Sequence, residues 1–254
     1  MSQETKTVLV TGSGGGLGRA IVDAFLANGF NAIVSDVNQA RLSEAEVLYK
    51  ETHPGRVLVN EANVTDEASV ENLIAATVEK FGRLDVVVNN AGVMDHFDPS
   101  GTCDKGMWDK VIDVNLTGPF LLTKHAVKVM EKQGTGLIIN IGSNASVRGI
   151  SAGIAYTASK HGVIALTKNT AGFYGPRGIY SAALILGGMD TNISDAFTDG
   201  INMEGMQLMK ATMPGMVSVP TQQVARYIVF LSEEGISRGA NGSCITFNGN
   251  WPVA

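Results

Sequence analysis

An open, parallel α/β sheet with helices on both faces is the fold class this sequence predicts. Short apolar, β-branched runs recur along the chain, and longer segments of helical period lie between them. The first, fourth and fifth runs are apolar almost without interruption, as strands buried on both faces of a parallel sheet are.

The strand-like runs occupy residues 7–11, 31–35, 56–60, 84–89, 136–141, 179–185 and 244–247. Residues 17–28 place Leu17, Ile21, Phe25 and Leu26 on one side of a helix. Residues 66–81 do the same with Val70, Leu73, Ile74, Thr77 and Val78, and put Asp66 and Glu67 in the first turn, where carboxylates meet the positive helix end. Strict alternation of this kind predicts a Rossmann-like, doubly wound parallel sheet of about seven strands with helices on both faces. There is no internal repeat, low-complexity segment or Pro/Gly/Ser linker, so residues 1–254 read as one domain. The stretch 187–219 breaks the alternation with Gly187, Gly188, Gly200, Gly205, Pro214 and Gly215. An irregular insertion of that length is expected to be a substrate lid.

Composition narrows the function classes. With 44% apolar and 17% charged residues over 254 positions, the chain is globular. No apolar run approaches the roughly 18 residues a membrane helix needs. Residues 1–6 are polar and lead directly into the first strand, which leaves no place for the apolar core of a secretory signal. The two cysteines, Cys103 and Cys244, have neither a disulfide framework nor metal-ligand spacing. A cytoplasmic location is expected, and no metal. A net charge of −5 without basic runs predicts no nucleic-acid or anionic-membrane partner.

The first strand ends in Thr11-Gly12-Ser13-Gly14-Gly15-Gly16-Leu17-Gly18, and an amphipathic helix follows. Glycines let the backbone turn tightly and approach a phosphate, and the helix presents N–H groups and its positive end to the anion. Asp36 closes the second strand. A carboxylate there accepts the hydroxyls of an adenosine ribose and repels a 2′-phosphate. Neither Ser13 nor Val37 supplies a cation for that phosphate, so the expected cofactor is NAD (NADH) in preference to NADP.

The spacing Thr11-Gly12-x-x-x-Gly16-x-Gly18 resembles the nucleotide loop of the short-chain dehydrogenase/reductase family. Three more segments resemble that family in the expected order: Asn89-Asn90-Ala91-Gly92 after the fourth strand, Ser143 after the fifth, and Tyr156-x-x-x-Lys160 on the next helix, read as 153–170. Asn115 is similar to the family's helix asparagine. The resemblance runs from residue 7 to about 249 and implies hydride transfer between a nicotinamide and a hydroxyl or carbonyl carbon.

Tyr156 and Lys160 stand one helical turn apart and share a face. A free phenol titrates near ~10, and bringing it close to neutrality takes about 4 kcal/mol of preference for the phenolate. An adjacent ammonium and an oxidised nicotinamide both favour that anion. The resemblance implies that Tyr156 is the general acid/base and that Lys160 also binds the nicotinamide ribose. Ser143 would hold the substrate oxygen, and Asn115 a water linking Lys160 to solvent. Gly12, Gly16, Leu17 and Gly18 would line the pyrophosphate. Asn90, Ala91 and Gly92 would lie near the adenosine ribose and the nicotinamide, and Asn63 and Val64 would flank the adenine. Gly187, Met189 and Thr191 would meet the nicotinamide carboxamide.

Two departures from the family pattern stand out. Ala182 replaces an Asn and Leu186 a Pro near the end of the sixth strand. Because proline fixes φ, its loss is expected to loosen the base of the lid and weaken the nicotinamide site. Phe247-Asn248-Gly249-Asn250 stands where relatives show Val-Asp-Gly-Gly, which alters the local turn.

The substrate is expected to be a small, partly apolar alcohol or carbonyl compound. The lid carries Met203, Met206, Met209, Met213 and Met216, with Met189 and Phe197 nearby, and flexible thioethers suit an adaptable pocket. Met94, Asp95, His96 and residues 144–150 are further expected lining, with His96 at the polar rim. The resemblance also implies a homotetramer or homodimer paired through the helices carrying Asn115 and Tyr156, with Phe173 as a candidate anchor. The alternative to an enzyme is a non-catalytic NAD(H)-binding regulator. That class keeps the glycine turn and usually loses Tyr or Lys, and this chain retains both.

Overall fold

The structure is a computed structural model describing residues 5–189, 191, 193, 200–212 and 217–249. Its strands are β1 (Thr7–Thr11), β2 (Asn31–Asp36), β3 (Val57–Glu61), β4 (Val86–Asn89), β5 (Gly136–Ser143), β6 (Ile179–Leu186) and β7 (Cys244–Phe247). Its helices are α1 (Gly16–Ala27), α2 (Gln39–Thr52), α3 (Glu67–Phe81), α4 (Lys105–Ile112), α5 (Gly118–Gln133), α6 (Ile154–Tyr174), α7 (Met203–Ala211), α8 (Thr221–Leu231) and the short α9 (Ile236–Gly239). All strands are parallel, in the order β3-β2-β1-β4-β5-β6-β7.

Each expected strand is present, with ends displaced by a residue or two. The fifth and sixth run further than their apolar stretches, to Ser143 and Leu186. The reason is pairing: β5 and β6 match from Gly136↔Ile179 to Ser143↔Leu186, and the ladder carries the extended backbone past the end of the apolar pattern. Asp66 lies one residue before its helix as the N-cap, where its carboxylate accepts the Ala68 N–H at 3.0 Å.

Side chains alternate across the sheet. Val8 and Val10 join Ile21, Phe25 and Ile228 on one face, while Leu9 and Ile33 join Leu73 and Leu122 on the other. Both faces are therefore buried, which explains the unbroken apolar strands. β1 pairs with β2 on one side and with β4 on the other. At that switch point successive connections depart in opposite directions and leave a crevice beyond the strand ends.

One line of buried polar groups crosses beneath the crevice. The Asn89 Nδ2 donates to Asn140 Oδ1 at 2.7 Å and to Thr123 Oγ1 at 3.4 Å; the Asn140 Nδ2 donates to Thr167 Oγ1 at 2.9 Å. It links α5, β4, β5 and α6, so the helices that bear on the crevice are indexed to the strands that end in it. Buried amides are costly unless paired. Asn140→Ala leaves the Asn89 amide without its best acceptor and is expected to cost about 2–3 kcal/mol, read as a lower urea midpoint at unchanged m-value.

Candidate active site

The glycine turn is shaped by close contacts. Gly12 has φ +61°, and a Cβ there would sit 2.8 Å from the Ala91 Cα; a Cβ on Gly18 would sit 2.4 Å from the Gly12 carbonyl oxygen. Gly16 also lies at positive φ, +52°. No side chain caps the start of α1 at Gly15, so its first-turn N–H groups have no side-chain acceptor, and Leu17 is buried. Asn90 ties this turn to the one after β4. Its Nδ2 donates to the Thr11 and Gly12 carbonyls at 2.8 and 3.0 Å, and the N–H groups of Asn90 and Ala91 both reach Thr11 Oγ1 at 3.1 Å.

Asp36 stands at the end of β2, as expected for a ribose acceptor. Its carboxylate also builds the turn: Oδ2 accepts the Gly14 N–H at 3.0 Å, and Oδ1 accepts those of Val37 and Asn38. A Cβ on Gly14 would fall 2.9 Å from both Asp36 Oδ2 and Arg41 Cβ. Arg41, in the first turn of α2, is a cation at this corner that sequence reasoning missed, because attention stopped at the positions flanking the acid. Asn63 is exposed, with Oδ1 accepting from the Thr65 N–H and hydroxyl. Val64 is buried against Gly118, where a Cβ would approach its Cγ2 to 2.8 Å.

The four residues singled out for chemistry converge. Tyr156 and Lys160 are both buried on one face of α6, with the Lys160 Nζ 5.4 Å from the centre of the Tyr156 ring. The ammonium donates to the Ile141 carbonyl at 2.9 Å. Burial lowers Lys160 to about 8, so it is still largely a cation at neutral pH. Ser143, at the end of β5, hydrogen-bonds the Tyr156 hydroxyl, and its Oγ accepts the Ala145 N–H at 3.2 Å. A Cβ on Gly92 would lie 3.3 Å from Asn115 Oδ1 and 3.8 Å from Lys160 Nζ, which puts these groups around one glycine.

Two further observations bear on these residues. The phenol is not brought toward neutrality by the chain itself. Burial pushes it up to about 12, with the Ser143 hydrogen bond pulling down and the Asp95 charge pushing up. Desolvation of the phenolate outweighs every favourable contact the protein supplies. Asn115 lies in a π-turn, Asp113–Thr117, and its amide is already engaged. Oδ1 accepts the Val93 N–H at 2.8 Å, while Nδ2 donates to the Val93 carbonyl at 2.8 Å and to Ser159 Oγ at 3.3 Å. The side chain clamps the turn carrying Gly92.

Val93, Met94, Met107, Trp108 and Ile193 pack against the buried apolar cluster that includes Tyr156. Asp95 is not lining: it is 1% exposed and bonded to backbone N–H groups. His96 lies against the lid segment, where a Cβ on Gly200 would meet its ring at 3.1 Å. In residues 144–150, Asn144, Ala145 and Ser146 are buried, whereas Val147 and Ile150 are exposed.

Leu186 is a paired, buried residue of β6 opposite Ser143 and Phe247. The ladder therefore reaches the position where relatives carry the proline. A Cβ on Gly187 would lie 2.5 Å from the Asn248 carbonyl oxygen. Met189 packs on the core, and Thr191 is half-buried. Asn248 turns inward, its Nδ2 donating to Asn144 Oδ1 at 2.9 Å. Within α7, Met206 and Met209 are half-buried and Met203 is exposed. Phe197, Met213, Met216 and Asn250 lie outside the described residues.

Glu67, Glu71 and His125 offer three ligand atoms within 4.8 Å of one another. Lys124 pairs with Glu67, and the two ring nitrogens of His125 face different carboxylates, which is an ion-pair arrangement. Among the described residues no helix is long and apolar enough to cross a membrane.

A parallel sheet with a glycine-walled crevice at its switch point, and a Tyr/Lys face beside it, defines a nicotinamide-binding oxidoreductase fold. The chain belongs to the short-chain dehydrogenase/reductase family: residues 6–202 match the family described as short chain dehydrogenase. It is 42% identical over 251 residues to a short chain dehydrogenase/reductase of Colletotrichum higginsianum, covering 97% of this chain and 93% of that protein. It is 40% identical over 187 residues to a levodione reductase of Leifsonia aquatica, covering 73% and 70% of the two. The crystal structure of levodione reductase superposes with a TM-score of 0.85 at 32% identity, over 97% of this chain and 98% of that one. A 3-ketoacyl-(acyl-carrier-protein) reductase from Brucella melitensis, complexed with NADH, shares the fold at 23% identity with a TM-score of 0.84, over 97% and 98%.

The buried ammonium makes a pH-dependent contribution to stability. The unfolded lysine keeps its proton up to about 10.5, whereas the folded one releases it from about 8. In that window the unfolded chain binds more protons, so stability from this group rises with pH across it and is lost as pH falls from about 10.5 to about 8. The difference in unfolding free energy between the native protein and Lys160→Met is expected to shift in favour of the native protein by roughly 2 kcal/mol between pH 8 and 10.

Proposed function

We propose that this protein reduces a carbonyl carbon of a small, partly apolar substrate with NADH, using Tyr156 as the proton donor. The observation that carries this reading is the Tyr156–Ser143–Lys160 group at the mouth of a crevice whose glycines leave room for a dinucleotide backbone. Gly12, Gly16, Leu17, Gly18, Asn90, Ala91 and Gly92 would hold the dinucleotide, with Asp36 on the adenosine ribose. Asn63 and Val64 would lie at the adenine edge, and Gly187, Met189 and Thr191 at the carboxamide. The reduced nicotinamide, when bound, supplies the hydride.

The chain's own residues do the rest. Ser143 donates to the substrate oxygen and steadies the charge that develops there. Tyr156 gives that oxygen its proton; a phenol that holds its proton through the neutral range suits an acid better than a base. Lys160, cationic at neutral pH, stabilises the phenolate left behind and meets the nicotinamide ribose. Asn115 keeps Gly92 and Lys160 in register. The apolar group of Met94, Met107, Trp108 and Ile193 supports a substrate with an apolar flank, and the likeness to a protein named levodione reductase supports a ketone. The carboxylate of Asp36 supports NADH over NADPH. The exposed Phe120 and Phe173, on α5 and α6, support pairing of those helices between copies of the chain in a dimer or tetramer.

The test is a screen of ketones with NADH, followed by nicotinamide absorbance. Tyr156→Phe is expected to lower kcat by about 10²–10⁴-fold with NADH affinity retained; full activity in that variant would refute the mechanism. Asp36→Ser is expected to raise the NADPH/NADH ratio of kcat/KM by about tenfold or more, since it removes a charge facing the 2′-phosphate. An unchanged ratio would remove Asp36 from the choice of cofactor.

A further inference from the structure

Helix α6 begins without a cap of its own. Gly153 is its N-cap and has no side chain to offer the first-turn N–H groups. Asp95, far away in sequence, takes that place. Its Oδ2 accepts the Tyr156 N–H at 2.9 Å, the N3 donor that a capping serine or aspartate would serve. Its Oδ1 accepts the Gly153 N–H at 3.0 Å and the Phe97 N–H at 3.1 Å. The fit is exclusive: a Cβ on Gly153 would fall 2.5 Å from Asp95 Oδ2. A buried carboxylate needs such compensation, and two N–H donors at the start of α6, with that of Phe97 in its own segment, provide it without a counter-ion.

The segment around Asp95 also carries the lid. Phe97 adopts φ +65°, in the left-handed region. Its carbonyl oxygen lies where a Cβ on Gly205 would come within 2.2 Å, so the first turn of α7 is seated on this peptide. The Asn202 N–H donates to the His96 carbonyl and its Nδ2 to Asp98 Oδ1, both at 2.9 Å, while the Ile154 N–H donates to the Asp98 carbonyl at 2.9 Å. One short segment thus holds the start of the Tyr156 helix on one side and the start of the lid helix on the other.

We infer that Asp95 is a positioning residue for Tyr156: its carboxylate replaces the missing cap of α6, sets the turn that carries the phenol, and ties that turn to the seat of the lid. The inference rests on the reading of Tyr156 as proton donor. Among the described residues, the charged or titratable groups facing the phenol are Lys160 from α6 and Asp95 from this segment. Asp98 and Cys103 stand next to Asp95, and His96 turns toward Gly200. The Asp95 charge also helps keep the proton on the phenol.

Asp95→Asn in the full chain keeps the shape, removes the charge and turns an Nδ2 donor toward one of the N–H groups. NADH affinity is expected to hold, and kcat to fall by about 10–100-fold, as expected for a displaced catalytic group. The Tyr156 phenol, read as the ultraviolet titration difference between each protein and its Tyr156→Phe partner, is expected to ionise at lower pH than in the native protein. An unmoved titration overturns the inference, whatever kcat does. A lowered titration with kcat unchanged instead sinks the proton-donor reading and leaves the placement of Asp95 intact. Should Asp95→Asn fail to fold, Asp95→Ala/Gly153→Ser gives α6 a local cap and is read the same way. In that double variant an unmoved titration would equally overturn the inference, while a kcat nearer the native value than that of Asp95→Ala alone is what the restored cap predicts and equal kcat in the two would overturn it.

Discussion

The Lys160 ammonium lies inside the protein with the Ile141 carbonyl 2.9 Å away, and no carboxylate pairs with it among the described residues. A charge taken out of water on one hydrogen bond is held there only by a rigid surround. That surround is what the fold builds. β5 supplies the carbonyl, α6 the stem, and Asn115, clamped on both polar groups of Val93, closes the third side. The cation is placed where an anion or a negative dipole improves the local electrostatics. The Tyr156 ring above it and the crevice beside it are the positions that profit.

The same reasoning explains why the phenol stands so high. Burial acts on Tyr156 and Lys160 in opposite directions, raising one and lowering the other, because in each case it penalises the charged form. The two groups therefore resist becoming a phenolate–ammonium pair until something else contributes charge. Asp95 adds to that resistance, and Ser143 relieves part of it. The site holds a proton on the phenol and a positive charge beneath it.

Rigidity comes from polar groups placed where the pattern of strands looked simply apolar. Asn89 and Asn140 interrupt two of the most hydrophobic strands, and their amides join each other across β4 and β5 and reach the helices on the same side. Leu186 and Asn248, both departures from the pattern of relatives, are absorbed in the same way. The leucine becomes a ladder residue, and the asparagine becomes a buried partner of Asn144 beside Ser143.

The order of strands and helices, the glycine turn, Asp36 and the Ser143, Tyr156, Lys160 set were legible in the amino-acid sequence alone. The strand and helix order depends on local periodicity and the turn on the special conformations of glycine, while the Ser143, Tyr156, Lys160 set was legible through the resemblance to a known family. Such signals survive without knowledge of the partner surface. Only the tertiary structure decided what Asp95, Asn115 and Arg41 do, and how far β5 and β6 extend. Asp95 reads as one more polar loop residue until α6 is brought down upon it, since its partners are backbone N–H groups from distant positions. Gly153, a helix start with no capping side chain, was the one hint in the sequence that a cap had to come from elsewhere. The burial of the Tyr156 ring likewise belongs to the tertiary structure: a neighbouring ammonium is visible in the spacing, whereas the desolvation that raises the phenol exists only once the chain has closed around the ring.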